Sequence, residues 1–168
     1  MDRDQGAERP RSGAGPQLRP IRVARGALRP NAPLRDMTVS PQHRFLREGA
    51  KIELNLGMDE ALIAATHLTC LDGVETAPDD SATYIHLMFD AHEIVMSDGC
   101  WTESFQPGAR SLSGLDEGPR AELETLFPEL FDGTADYPAA RPTLRRFEAA
   151  IALADLTPPA QSALSLAA

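Results

Sequence analysis

Long apolar runs are absent from this 168-residue chain. No stretch approaches the roughly 20 residues needed to cross a bilayer, which excludes a membrane-spanning helix. The opening residues, MDRDQGAERPRSGAG, carry charge with no apolar stretch behind them, so they are not a cleavable secretory leader. The compartment stays open between the cytoplasm and export by a non-cleaved route. Aromatic residues make up only 5% of the chain, so a core must rest on Leu, Ile, Val and Ala. Cysteine is scarce: Cys70 and Cys100 show no CxxC spacing and are expected as buried free thiols. Lysine is scarcer still, Lys51 being the only one beside an abundance of Arg.

What charge there is lies unevenly. Residues 1–50 sum to +5 and residues 51–168 to −14, which gives the net −9. An acidic total argues against a general nucleic-acid binder. The basic first part reads either as an arm that docks on something acidic or as a solvated Arg-rich leader.

Residues 1–17 are rich in Gly, Pro, Arg and Ser without periodicity and read as a disordered leader. Short strands are expected from residue 18 to 107. Ile21-Arg22-Val23 alternates apolar and polar, and Gly26, Pro30, Asn31 and Pro33 then make a loop. Met37-Thr38-Val39 and Arg44-Phe45-Leu46 flank a Ser-Pro-Gln-His turn. Ile52-Glu53-Leu54 alternates as a strand would, with Gly57 closing it. Glu60 to Thr66 reads as a strand running into a turn. Tyr84 to Phe89 reads as a buried strand. Glu93 to Met96 and Cys100 to Ser104 read as a hairpin around Asp98-Gly99. Residues 108–158 have helical character. Pro119 suits a first turn, Leu123, Leu126 and Phe127 share a face, and Pro128 ends that helix. A second helix is expected after Pro142, with Leu144, Phe147 and Ile151 at i, i+3 and i+7. Residues 159–168 read as a frayed tail.

Four histidines exist: His43, His67, His86 and His92. Ser40-Pro41-Gln42-His43 places a hydroxyl three residues before an imidazole, after a short apolar run. A neutral His there can donate to a carbonyl or shuttle a proton. Tyr84 to Glu93 is the densest grouping of titratable side chains. Three readings compete for it. His86, His92, Asp90, Glu93 and His43 could ligate zinc, although the spacing matches no strong motif. His43 and His92 could meet as an acid–base pair, which requires a Cys, Ser or Thr nucleophile. His67 and His86 could simply be packed, hydrogen-bonded rings.

Taken in order, the motifs resemble the bacterial Hint (hedgehog/intein) domains. They are Pro20-Ile21-Arg22-Val23, Asp36 to Arg44, Tyr84-x-His86-Leu87-Met88-Phe89-Asp90-x-His92-Glu93-Ile94-Val95, Gly99, Glu103-Ser104-Phe105 and Leu126 to Leu130. The resemblance spans roughly residues 18–150. It implies a mainly β, horseshoe-like fold related to self-cleaving and protein-splicing domains, here incomplete, with a short C-terminal helical appendage. It implies that His43 activates the peptide bond before a nucleophile, with Ser40 as a supporting hydroxyl in place of the usual Thr. His92 resembles the family's later histidine, and Asp90 would orient or polarise its ring. No cofactor and no resident metal are implied.

The sequence departs from the family pattern twice. No Cys precedes Cys70, and Ser12 is the sole hydroxyl before Leu18. Thr102-Glu103-Ser104 stands where splicing domains carry His-Asn, and Glu cannot perform the Asn cyclisation. Neither splicing nor autonomous cleavage is therefore expected of these residues. A fold lacking its opening strands leaves a sheet edge to be met by a partner strand or a second copy. The competing expectations are a non-catalytic binding or structural module of a larger bacterial secreted or surface protein, and a small metalloenzyme.

Overall fold

The structure is a computed structural model that describes residues 19–78, 82, 84–108, 112, 117–132, 137–154 and 156. The expected leader at 1–17 and the tail at 159–168 lie outside the described residues. Among the described residues, seven short strands form two antiparallel sheets. In the first, β1 (Ile21–Val23) is central, between β2 (Met37–Val39) and β5 (Val74–Thr76). In the second, the order is β4 (Glu60–Ala64), β3 (Arg44–Glu48), β7 (Cys100–Glu103) and β6 (Ile94–Ser97). The chain is mainly β, as its alternating apolar pattern requires.

The two sheets share one aliphatic core. Ile21, Val23 and Val74 from the first meet Phe45, Ala61, Ile63 and Cys100 from the second. Leu144, Ala149, Ala152 and Leu153, far along the chain, pack into the same cluster. They come from a stretch that begins by closing the β4 edge. Leu62 N–H donates to the Pro142 carbonyl at 2.8 Å, and Leu144 N–H donates to the Leu62 carbonyl at 2.9 Å. Backbone groups that would otherwise invite another strand are thereby satisfied.

The hairpin at Asp98-Gly99 forms as expected. Asp98 has φ 47 and Gly99 φ 79, the paired positive angles of a type I′ turn. Ser97 faces Cys100 across it, and the register runs back to Ile94 opposite Glu103. Arg35 Nε donates to Asp98 Oδ1 at 2.7 Å, and Leu34 N–H donates to the Asp98 carbonyl at 2.7 Å. These bonds tie the turn to the loop before β2.

Four expectations are corrected. Ile52-Glu53-Leu54 is not a strand but lies within helix α1 (Ala50–Leu56). Gly57 at φ 65 caps it, its N–H bonded to the Glu53 carbonyl, as a left-handed C-terminal glycine does. Ile52 is buried while Leu54 is 83% exposed, so the apparent alternation came from one apolar residue on each side of a short helix. Tyr84 to Phe89 is neither a strand nor buried, and Ile85 is 86% exposed. The later helices are α2 (Glu117–Leu126), α3 (Glu129–Asp132) and α4 (Arg146–Ala152). Leu144 precedes α4 rather than lying on it. The inner face of α4 is Ala149 and Ala152, with Phe147 61% exposed. β5 had no clear signal in its short Val-Glu-Thr sequence. Cys100 is buried, as expected, but Cys70 is exposed, and both are free.

Candidate functional site

The Ser40-Pro41-Gln42-His43 turn joins β2 to β3, so it connects the two sheets. It is tightened from within: His43 N–H donates to the Ser40 carbonyl and to Ser40 Oγ, each at 3.1 Å. Ser40 thus shapes the turn that presents the imidazole, a use of a short hydroxyl side chain typical of turns. The carbonyl of His43 accepts the Ala65 N–H at 2.8 Å, anchoring the residue to the end of β4.

The His43 ring lies edge-on to Phe45, with centroids 5.4 Å apart. Its Nε2 meets Thr102 Oγ1 on β7 in a short hydrogen bond. Thr102 Oγ1 in turn donates to the Arg44 carbonyl at 2.8 Å. Burial pushes the His43 pKa down from 6.5 to about 4, helped by His86 and Arg44 nearby. At neutral pH the ring is therefore uncharged, the form that can take up a proton.

His92 sits elsewhere in the same neighbourhood, and its ring is fully enclosed. Its Nδ1 accepts the Ala140 N–H at 2.8 Å. An accepting Nδ1 leaves the ring proton on Nε2. That Nε2 lies 3.1 Å from Glu103 Oε2, close but not aligned for a hydrogen bond. Burial lowers the His92 pKa, so this ring too favours its neutral form. Glu103 is the hub between the two histidines. Its Oε1 accepts the Arg44 N–H at 2.9 Å, and its Oε2 accepts the Arg44 guanidinium at 2.7 Å. Burial raises the Glu103 pKa, and the bonds from Arg44 oppose that rise.

His43 and His92 are therefore linked through Thr102, Arg44 and Glu103, with no hydrogen bond between the two rings. Asp90 is exposed, and the hydrogen bond that holds the His92 ring comes from the Ala140 N–H. His86 is exposed as well, its ring 4.7 Å from that of Phe105. Among the described residues, no group of three or more His, Cys, Asp or Glu is placed to hold a metal ion.

A cleft of about 440 Å³ opens over His43, between β2 and the hairpin. Its wall includes Thr38, Ser40, His43, His86, Val95, Thr102 and Glu103. Neither cysteine lines it. β2 and β6 are both edge strands, and both border this cleft. The register fixes which backbone groups face outward. Ile21 and Val23 point their N–H and C=O toward β2, because Arg22 is committed to β5 between the Ala24–Gly73 and Ala77–Pro20 bonds. That leaves Thr38 facing away from the sheet. On the hairpin, Ser97–Cys100 and Val95–Thr102 are the hydrogen-bonded pairs, so Ile94 and Met96 face away. Among the described residues these edge groups have no backbone partner.

The sequence profile of the Hint domain matches residues 4–109, well over half of the chain. The chain belongs to the Hint domain family. No curated protein and no solved structure matches it. In this Hint domain the stretch at 137–154 lies beyond the matched residues, yet it seals β4 and supplies the N–H that holds His92. Sequence reading singled out His43 and Ser40 and did not name Thr102, Arg44 and Glu103 as the groups bonded around them. The one signal available was Thr102-Glu103 on an expected return strand: adjacent residues on a strand point to opposite faces, whereas both of these polar side chains are buried.

Proposed function

We propose that this Hint domain is the histidine-bearing part of an autoprocessing site. It takes an extended peptide segment into the cleft, and His43 polarises that segment's scissile peptide bond. The observation that carries the reading is a neutral, side-chain-anchored His43 on the wall of a cleft bordered by two strand edges that are open among the described residues. An incoming strand can pair with such an edge, the mode used wherever a peptide augments a sheet.

The chemistry is an acyl shift. A thiol or hydroxyl on the incoming segment attacks the carbonyl of the peptide bond preceding it. The C–N bond breaks, a thioester or ester forms, and the proton lost by the nucleophile ends on the released amine. A neutral imidazole serves as the carrier of that proton. No cysteine lines the cleft, and Ser40 Oγ already accepts the His43 N–H. The described residues are accordingly read as non-cleaving by themselves, with the nucleophile coming from a segment that docks.

The test is direct. The purified chain, held at neutral pH with and without dithiothreitol, is expected to keep its intact mass. Two thiol-induced fragments would overturn the non-cleaving reading. Fusing a Cys-led strand ahead of residue 19 tests the role of His43. Thiol-dependent cleavage in that fusion is expected to be lost in His43→Ala, and equal cleavage in both chains removes His43 from the chemistry.

A second reading is a non-catalytic binding module. It draws support from Ile85 and Leu87, which are exposed and line the cleft. In that case a partner strand binds the cleft, or a second copy does so, without any bond being broken.

A further inference from the structure

The orientation of the His43 ring, and which of its nitrogens is available, are fixed by a residue to which the family resemblance gave no role in holding that ring. We infer that Thr102 is a positioning residue that locks His43 as the tautomer protonated on Nε2, leaving Nδ1 as the nitrogen that meets a docked peptide. The inference deepens the reading of His43 as the bond-activating histidine and rests on it for its functional meaning.

The argument is a count of protons. Thr102 Oγ1 carries one hydrogen and touches two groups, the Arg44 carbonyl and His43 Nε2. A carbonyl can only accept, whereas a neutral imidazole nitrogen either donates or accepts. If the hydroxyl proton pointed at His43, the Thr102 and Arg44 oxygens would face each other at 2.8 Å with no hydrogen between them. That is a repulsive contact between two partial negative charges. With the hydroxyl donating to the carbonyl, both contacts are attractive only if His43 Nε2 donates to Oγ1. The proton is then on Nε2, and Nδ1 carries the lone pair.

Geometry outside the ring agrees. Nδ1 has no hydrogen bond among the described residues and is not sealed from solvent, unlike the enclosed nitrogens of His67 and His92. His43 lines the cleft. The Arg44 carbonyl is itself held in place, because Glu103 grips both the N–H and the guanidinium of the same residue. Glu103 and Arg44 therefore set the direction of the Thr102 hydroxyl, and Thr102 sets the tautomer. A free histidine in water mixes its two neutral tautomers; here one is selected before any substrate arrives, as preorganised sites require.

The test is nitrogen-15 NMR of the full chain with labelled histidine at neutral pH, with no peptide added. In the wild type, His43 is expected to show the shift pattern of a single tautomer with the hydrogen on Nε2. Thr102→Ser keeps the hydroxyl and is expected to keep that pattern. Thr102→Val keeps the shape, removes the hydroxyl, and is expected to give a mixed or inverted pattern while the amide spectrum stays that of the folded protein. A wild-type His43 that is mixed, or protonated on Nδ1, overturns the inference. So does a folded Thr102→Val chain with the wild-type pattern. Should Thr102→Val unfold, the wild-type and Thr102→Ser spectra still decide it. These readouts need no cleavage, so the tautomer can be right while the autoprocessing reading fails, and the reverse.

Discussion

Glu103 holds Arg44 twice, by its backbone N–H at 2.9 Å and by its guanidinium at 2.7 Å. One carboxylate on β7 thus stands in for a strand-pairing bond and also closes an ion pair with only 8% of its side chain exposed. Truncating it removes the acceptor of a main-chain donor and the counter-charge of a guanidinium that then keeps Gln106 Oε1, at 2.8 Å, as its side-chain acceptor. We predict that Glu103→Ala costs about 3 kcal/mol of stability, in the range for breaking a buried pair. Glu103→Gln retains an acceptor for the N–H and costs less than half as much. Urea denaturation of the three proteins measures both, and equal losses in Ala and Gln would show that the acceptor is not what matters.

Acid should weaken the fold through His43. Its pKa is 6.5 as an ordinary side chain and about 4 in the folded protein. Between those values the unfolded chain binds a proton that the folded chain does not, so stability falls as pH drops through this window and the loss is complete below about pH 4. The effect amounts to about 3 kcal/mol at most. Burial shifts His67, His86 and His92 in the same direction and adds to the slope. An NMR titration is expected to place the His43 midpoint well below that of a free histidine, and His43→Gln to flatten the urea stability curve between pH 7 and 4.

The hairpin turn offers a backbone test. Gly99 has φ 79, and an added Cβ would lie 3.1 Å from Leu34 Cγ. Leu34 is exposed and can yield, so the conformational cost dominates. Gly99→Ala should cost about 1–2 kcal/mol, and Gly99→Asn less, since Asn tolerates left-handed angles. Thermal melting of the two variants gives the order.

Leu144 and Phe147 separate packing from periodicity. Leu144 is 2% exposed within the shared core, while Phe147 is largely open to solvent. Leu144→Ala is expected to lose about 3 kcal/mol, and Phe147→Ala under about 1 kcal/mol. Chemical denaturation showing similar losses would mean that the helix face is assigned wrongly.

Much of the β framework was legible because short alternations near turns carry their own signal. Ile21-Arg22-Val23, Met37-Thr38-Val39 and the Asp98-Gly99 hairpin all follow from pattern and turn chemistry. Ile52 and Leu54 misled because a seven-residue helix offers too few positions to tell period 2 from period 3.6. Tyr84 to Phe89 misled because apolar composition was taken for burial, and nothing local reports that no sheet receives the segment. At the site, His43 and Ser40 were visible because they are neighbours in sequence. Thr102 and Glu103 lie about 60 residues away, and only the pairing of β3 with β7 brings them to Arg44.

The closure of β4 by Pro142 and Leu144 has a consequence for biosynthesis. A chain leaving the ribosome from its N-terminal end emits β3 and β4 long before it emits the residues that cover Leu62. Until residue 144 is out, the nascent sheet keeps a bare flank beside a fully enclosed leucine. Synthesis speed over residues 65–144 therefore sets how long a growing chain is open to mispairing with its neighbours on the same message.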